Sequence, residues 1–442
     1  MMRNIASTLV VFLIVFCVAC TSTNPNYQAE TNTPEFLHRS MEELTRVIVH
    51  DIFSPPVASR NYVYPSIAAY EVARQMEPQY KSMAGQLNGL SAIPSPDANQ
   101  EYNFPLAATM AFLGTAKAFI FSEAKITAFQ EQMLKEFESI RMPKAVFQRS
   151  VDYGHQVAQH ILSWADQDNY KQSRSFPKFT ITEDPERWKP TPPAYMEGIE
   201  PHWREIRPLV LDSAQQFQPE LPTQFDLSKD APFYKEVVEV YEAVKTAKEE
   251  ERVIASFWDC NPYVMNVTGH VMHASKKITP GGHWMGIAKI ACQKSEASFA
   301  RSAAAYLMTS IALFDGFISC WDEKYRSNLI RPETIINEHI DPSWVPLLQT
   351  PPFPEYTSGH SVISSASAVA LTSLFGDQFA FVDSTEVDYG LPARSFGSFL
   401  EASDEAAISR LYGGIHYRPA IENGVTQGKR LGAYILENVK TN

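Results

Sequence analysis

Apolar residues recur three and four positions apart through most of the chain. From "EFLHRSMEELTRVIVHDIF" (residues 35–53) the spacing repeats in "SIAAYEVARQM", "PLAATMAFLGTAKAFIF", "SEAKITAFQEQMLKEFESI", "SVDYGHQVAQHILSWADQD" and "PFYKEVVEVYEAVKT". It returns in "EEERVIASFWD", "SEASFARSAAAYLMTSIALFDGFISCWDEKY", "SVISSASAVALTSLFG", "SDEAAISRLYGG" and "ENGVTQGKRLGAYILENVK". A period near 3.6 gathers such residues on one helical face, whereas alternating strand-type runs are scarce. The pattern predicts an all-α chain of packed helical bundles with long Pro-rich connections, and the excess of 30 prolines over 19 glycines suits rigid joints. Residues 175–225, rich in proline and aromatics, read as an ordered surface loop. No repeat and no Gly/Ser linker divides the interior. Residues 35–442 are therefore expected to form one catalytic domain, with a helical half at about 35–250 and a second half at about 251–442.

The N-terminus departs from this pattern. Arg3, an apolar run over Leu9–Val18 and then Ala19-Cys20 have the layout of a secretory signal, and the run is too short for a spanning helix, which needs about 20 residues. Residues 1–20 are expected to be a lipoprotein-type signal with Cys20 lipidated, and 21–34 a flexible tether. This predicts an exported protein, periplasmic or anchored to the outer membrane of a bacterium through the lipid on Cys20. The net charge of -12 argues against nucleic-acid partners. Beyond Cys17 and Cys20 only Cys260, Cys292 and Cys320 remain, which allows one disulfide at most. Without a CxxC pair, no structural zinc site is expected.

Three segments concentrate cations, histidines and a Ser-Gly step. In "WDEKYRSNLIRPE", Pro332 disfavours helical geometry at Arg331, so the helix carrying Lys324 should end before Arg331 enters from an extended segment. In "PPFPEYTSGHSV", Ser358 and Gly359 precede a helical run, whose start can bind an oxyanion through free N–H groups, and His360 is placed for proton transfer. In "AISRLYGGIHYRPAIENG", Gly413-Gly414 should end the helix carrying Arg410, and the chain then presents His416. Taken singly, these are a solvated helix face, an N-cap and a half-buried histidine.

Taken together, "KYRSNLIRP", "TSGH" and "SRLYGGIH" resemble the signature of the superfamily joining type 2 phosphatidic acid phosphatases with vanadium-dependent haloperoxidases, in its secreted, soluble branch. The resemblance covers residues 321–424 and implies the helical fold of vanadium chloroperoxidases and acid phosphatases. By position it implies that Lys324, Arg331 and Arg410 hold the oxygens of vanadate or phosphate, with Ser358 and the Gly359 N–H adding hydrogen bonds. It makes His416 the axial vanadium ligand or the phosphohistidine, and His360 the proton carrier. The family usually has an Asp four residues after the axial histidine; here that position is Ala420, leaving a backbone carbonyl or Glu422 as substitutes. Thr357 stands where proline is usual.

Trp321 and Phe353 match the aromatic pair on the halide side of fungal-type chloroperoxidases. "SFWDCNP" resembles the segment that pairs with the last arginine, which suggests Asp259 as the partner of Arg410. The expected function is halide oxidation by hydrogen peroxide at vanadate, acting as a Lewis acid. The alternatives are a cofactor-free acid phosphatase acting on phosphomonoesters or lipid phosphates, and a non-catalytic oxyanion-binding lipoprotein. Peroxide and halide, or a phosphoester, are the expected small-molecule partners. The pair His270/His273 and the segment "GGHWMGIA" around Trp284 suggest no site of their own.

Overall fold

The computed structural model describes residues 23–268 and 270–442, without the side chains of 266–268 and 272–274. The expected signal segment with Cys20 lies outside the described residues, as does the side chain of His273, while His270 is exposed. The first half contains helices α1 (Tyr27–Thr31), α2 (Glu35–Asp51), α3 (Pro55–Ala73), α4 (Phe104–Ala116), α5 (Glu123–Ser139), α6 (Lys144–Ala165) and α7 (Tyr170–Ser173). The second contains α8 (Pro232–Lys245), α9 (Glu249–Phe257), α10 (Pro280–Lys294), α11 (Phe299–Ser327), α12 (Pro332–His339), α13 (Gly359–Phe375), α14 (Phe399–Tyr412) and α15 (Arg418–Asn438). Two short antiparallel hairpins join them: β1 (Val264–Thr268) pairs with β2 (Val271–Ser275), and β3 (Phe381–Asp383) with β4 (Arg394–Phe396). The helical architecture follows the apolar spacing, and the hairpins are the small departure from it.

Helix α11 is the axis of the fold. It is apolar on nearly every face, and such a helix belongs inside a core. By length and composition it could cross a membrane, yet its apolar stretch is wholly buried, with α3, α10 and α13 packed against the helix. Ser298 caps its start by accepting from the Arg301 N–H at 3.2 Å. Asn328 ends it in the left-handed conformation, its N–H donating to the Lys324 carbonyl. The helix thus stops between Lys324 and Arg331, and Arg331 is extended at φ -80°, ψ 150°.

Helices α13 and α15 approach unusually closely because a glycine ridge, Gly424, Gly428 and Gly432, lies one turn apart along α15. A Cβ on Gly428 would come within 2.2 Å of the Val362 carbonyl oxygen, and one on Gly424 within 2.8 Å of the Ser361 Cβ. This contact fixes the start of α13, where Ser358-Gly359-His360 sits.

Two expectations change. Residues 23–34 do not behave as a tether: α1 docks on the body with Tyr27 and Thr31 buried, and Asn103 Nδ2 donates to Thr31 Oγ1 at 2.6 Å. The segment 175–225 is irregular but only partly a surface loop. Trp188, Trp203, Leu209 and Leu211 are buried, and Asp315 of α11 accepts from the N–H groups of Leu209, Val210 and Leu211 at 2.8, 2.8 and 3.1 Å. Buried irregular backbone needs such partners.

Candidate functional site

The three signature segments converge on one cavity of about 400 Å³, whose lining includes Trp321, Phe353, Gly359, His360, Arg410 and His416. Lys324 and Arg331 lie behind its aromatic wall, both fully buried. Each segment delivers its residue as its local sequence dictates. Lys324 comes from the last turn of α11, and Arg331 from the extended step forced by Pro332. Ser358 is the N-cap of α13, its Oγ accepting from the Ser361 N–H at 3.3 Å. The N–H groups of Gly359 and His360 therefore belong to the first helical turn, where backbone donors lack intrahelical partners. Arg410 lies in the last turn of α14, Gly414 turns the chain at φ +79°, and His416 follows before α15 begins with Pro419 in its first turn.

The cations are held by backbone carbonyls rather than carboxylates. Lys324 Nζ donates to the carbonyls of Pro354 and Glu355, both at 3.0 Å. Arg331 donates through Nε to Phe353 O at 2.9 Å and through Nη1 to Ile415 O at 2.8 Å. Arg410 Nη1 donates to Trp258 O at 2.8 Å. Asp259 makes no direct ion pair with Arg410: its Oδ2 is turned to Lys277 Nζ at 2.7 Å and the neighbouring Trp258 carbonyl takes the arginine, so Asp259 acts on Arg410 only through its charge. Carbonyl partners carry no full negative charge, so carboxylates that are not hydrogen-bonded to these cations offset them only in part, Glu355 for Lys324 and Arg331 and Asp259 for Arg410. Burial pushes the Lys324 ammonium down to about 7, with Arg331 adding repulsion, and brings Arg331 itself down to about 10. Burial also lowers Arg410.

His416 is supported from an unexpected direction. Its Nδ1 lies 2.8 Å from Glu355 Oε1, which also accepts from the Tyr417 N–H at 2.9 Å. Its Nε2 lies 3.2 Å from Arg331 Nη1. These partners assign the tautomer: Nδ1–H donates to the carboxylate, and Nε2 carries the lone pair. Burial first, then Arg331 and Lys324, hold His416 well below the ordinary histidine range, so the ring is neutral. Burial raises Glu355 to about 7 against the opposing pull of Arg331 and Lys324. Ala420 contributes only its carbonyl, which accepts from the Ser358 N–H at 3.0 Å, and Glu422 faces Arg418 on the outside at 3.7 Å. Glu355 therefore does what an Asp at Ala420 would do. It lies three residues before Ser358, the one acidic residue of "PPFPEYTSGH", and that isolation among apolar neighbours was its available signal.

Trp321 and Phe353 meet at 4.9 Å between ring centroids, and Phe353 also faces Lys324 at 5.0 Å and Arg331 at 5.1 Å. Both line the cavity, together with Met196 and Ile199 from the irregular 175–225 segment. Trp284, by contrast, donates to Ser364 Oγ at 2.8 Å within the core.

The site suits a multiply charged oxyanion. Arg331 Nη2, Arg410 Nε and His360 Nε2 are buried yet have no hydrogen-bond partner among the described residues. Unpaired buried polar atoms are costly and rare, and here two arginine donors and the neutral His360 Nε2 accompany positive charge in one pocket.

The comparisons agree with this geometry. Residues 304–442 match the family described as the VCPO second helical-bundle domain. The solved structure of a protein described as the first bacterial vanadium-dependent iodoperoxidase is 55% identical, with a TM-score of 0.88, covering 92% of this chain and 97% of its own. The chain belongs to the vanadium-dependent haloperoxidases. Holo- and apo-type structures of a bacterial vanadium-dependent chloroperoxidase share the fold at 16% identity, with TM-scores of 0.66 and 0.65. They cover 88% and 87% of this chain, and 93% and 94% of their own. A search of curated protein sequences finds no match. Vanadate is the cofactor of this family, and the unpaired cationic donors fit it.

Proposed function

We propose that this haloperoxidase oxidises iodide with hydrogen peroxide at a vanadate held by Lys324, Arg331, Arg410, Ser358, Gly359 and His416. The observation that carries the reading is the neutral His416, with Nδ1–H fixed on Glu355 and the Nε2 lone pair turned toward the cations, where Arg331 Nη1 lies 3.2 Å away and would give way to a ligated anion. Iodide is the halide named for the solved relative that is 55% identical.

When bound, vanadate supplies a Lewis acid that activates peroxide toward a halide nucleophile. The chain's own residues do the rest. The arginines bind the oxyanion through the donors that their carbonyl partners leave unpaired, Arg331 Nη2 and Arg410 Nε, and the Gly359 N–H adds the dipole of α13. Lys324, stacked behind Phe353, supplies a positive charge whose strength rises as an anion enters. His360, kept neutral by burial and by Arg410, is able to take a proton at its unpaired Nε2. Trp321 and Phe353 give the halide an apolar approach, which favours a large, weakly hydrated anion. Export with a lipid on Cys20 belongs to the same proposal, and mass spectrometry of the mature N-terminus tests it.

The decisive experiment uses the full chain with peroxide and iodide, bromide or chloride, with and without vanadate. Iodide oxidation only on vanadate addition is expected, and its loss in His416→Ala. Hydrolysis of a chromogenic phosphomonoester, blocked by vanadate and without halide oxidation, would replace this reading with the phosphatase one.

A further inference from the structure

A second cluster of ligating side chains lies beside the oxyanion pocket, and the function described above does not use it. Cys260 follows α9, His283 lies in the first turn of α10, and Glu386 follows β3. All three are at most 1% exposed. Cys260 Sγ is 3.4 Å from His283 Nδ1, His283 Nδ1 is 3.2 Å from Glu386 Oε1, and Cys260 Sγ is 3.9 Å from Glu386 Oε1. A tetrahedral ion with bonds of about 2.3 Å to sulfur and about 2.0 Å to nitrogen or oxygen keeps its ligand atoms about 3.3–3.6 Å apart. The observed triangle lies close to that spacing.

The other side of the imidazole is built in the same sense. His283 Nε2 lies 2.7 Å from Asp383 Oδ2, and Asp383 Oδ1 accepts from the Thr385 N–H at 3.0 Å and its Oγ1–H at 2.7 Å. A carboxylate behind a histidine fixes the tautomer that turns the opposite nitrogen toward a metal. The Trp258 ring stacks on His283 at 4.5 Å and 17°, holding the ring plane. Sulfur, nitrogen and oxygen donors in one buried tetrahedral corner suit zinc better than the hard cations.

We propose that Cys260, His283 and Glu386 bind a zinc-type divalent cation, with Asp383 orienting His283. The ligands come from segments far apart in the chain, 23 residues between Cys260 and His283 and 126 between Cys260 and Glu386, so no CxxC-like spacing announces them. Such an ion would tie the end of α9 to α10 and to the turn after β3. That tie matters because Trp258 O receives Arg410, and Cys260 itself lines the cavity. Its role would be to fix this wall, separate from halide chemistry.

The test uses the full chain freed of metal by a chelator and without vanadate, titrated with cobalt(II) and then zinc. One equivalent of cobalt is expected, with tetrahedral d–d bands and a thiolate charge-transfer band, displaced by zinc. Cys260→Ala should remove the charge-transfer band, and Asp383→Asn should keep it while weakening affinity about 10–100-fold. Glu386→Gln, which preserves shape and guards against misfolding, should weaken binding and abolish the zinc-dependent rise in melting temperature. Cys292→Ala should change nothing. Failure to bind cobalt stoichiometrically, or binding that Cys260→Ala and Glu386→Gln both leave intact, overturns the proposal and leaves His283 as a buried imidazolium between two carboxylates.

Discussion

Replacing Glu355 by Gln separates two roles that this residue combines. The glutamine keeps the length and one carbonyl oxygen, so it can still accept from His416 Nδ1–H and the Tyr417 N–H, now without charge. A hydrogen bond to a charged acceptor contributes about 1.5–3 kcal/mol, against about 1 for a neutral one. The loss makes Nε2 less basic, and outer-sphere partners of a ligating histidine typically govern about 10–100-fold in affinity. Vanadate affinity should fall within that range, with halide oxidation at saturating vanadate reduced less.

Stability should move the other way. Burial raises Glu355 from 4.5 to about 7 despite the neighbouring cations. A group whose folded pKa is raised contributes stability below its unfolded pKa and loses it as pH climbs through the folded value. At about 1.4 kcal/mol per pH unit, the ionised carboxylate costs the vanadate-free protein about 3 kcal/mol above pH 7. Glu355→Gln removes that cost, so its melting temperature relative to wild type should rise between about pH 4.5 and 7 and level off above. Vanadate titration and scanning calorimetry from pH 5 to 8 read both effects. Unchanged vanadate affinity would refute the charge on Glu355 as the support of His416, and a flat stability difference would refute its burial cost.

Other consequences follow from the same geometry. Because Lys324 titrates near 7 in the free pocket, anion binding above that pH must take up a proton, and affinity should weaken by up to about tenfold per pH unit from 7 to 9. Calorimetry in two buffers of different ionisation enthalpy, compared with Lys324→Met to cancel the ligand's own ionisation, measures that uptake. His360→Ala should lower turnover about 10²–10⁴-fold while vanadate affinity stays within a few-fold, which single-site titration against steady-state kinetics checks. Gly424→Ala and Gly432→Ala should each destabilise by about 1–3 kcal/mol through overpacking. Only Gly424→Ala should also weaken vanadate binding, since its Cβ would press on Ser361 and lie 3.1 Å from the Ser358 carbonyl.

What the chain made readable, and what it hid, divides along a physical line. Helices were legible because the apolar period is local; Gly413-Gly414 marked the end of α14 directly, whereas Pro332 marked only the extended Arg331 and α11 itself stops at the left-handed Asn328. The hairpins were not: β3 and β4 have three residues each, too few for alternation to show. Helix α10 was missed because it opens with "PGGH", where two glycines count against a helix although Gly282 lies where a Cβ would meet Tyr62 Oη at 2.8 Å. Glu355 and Asp259 fail for the same reason in opposite senses. Which carboxylate meets which base depends on how separate segments pack, and neighbours in sequence are a poor guide to that.

The support of His416 shows why this matters for chemistry. An Asp on the first turn of α15 would orient the histidine from the helix that begins just after it, and the two would move together. Glu355 instead reaches from the loop before α13, the loop whose Pro354 and Glu355 carbonyls also hold Lys324. One short segment therefore sets the basicity of His416, the position of a buried cation and, through Ser358 and Gly359, the backbone donors that would face a bound anion. A displacement of that loop should change all three together. Vanadate affinity, the pH at which Lys324 titrates and the tautomer of His416 are then expected to shift as a group in variants of 353–359, even where the substituted side chain touches only one of them.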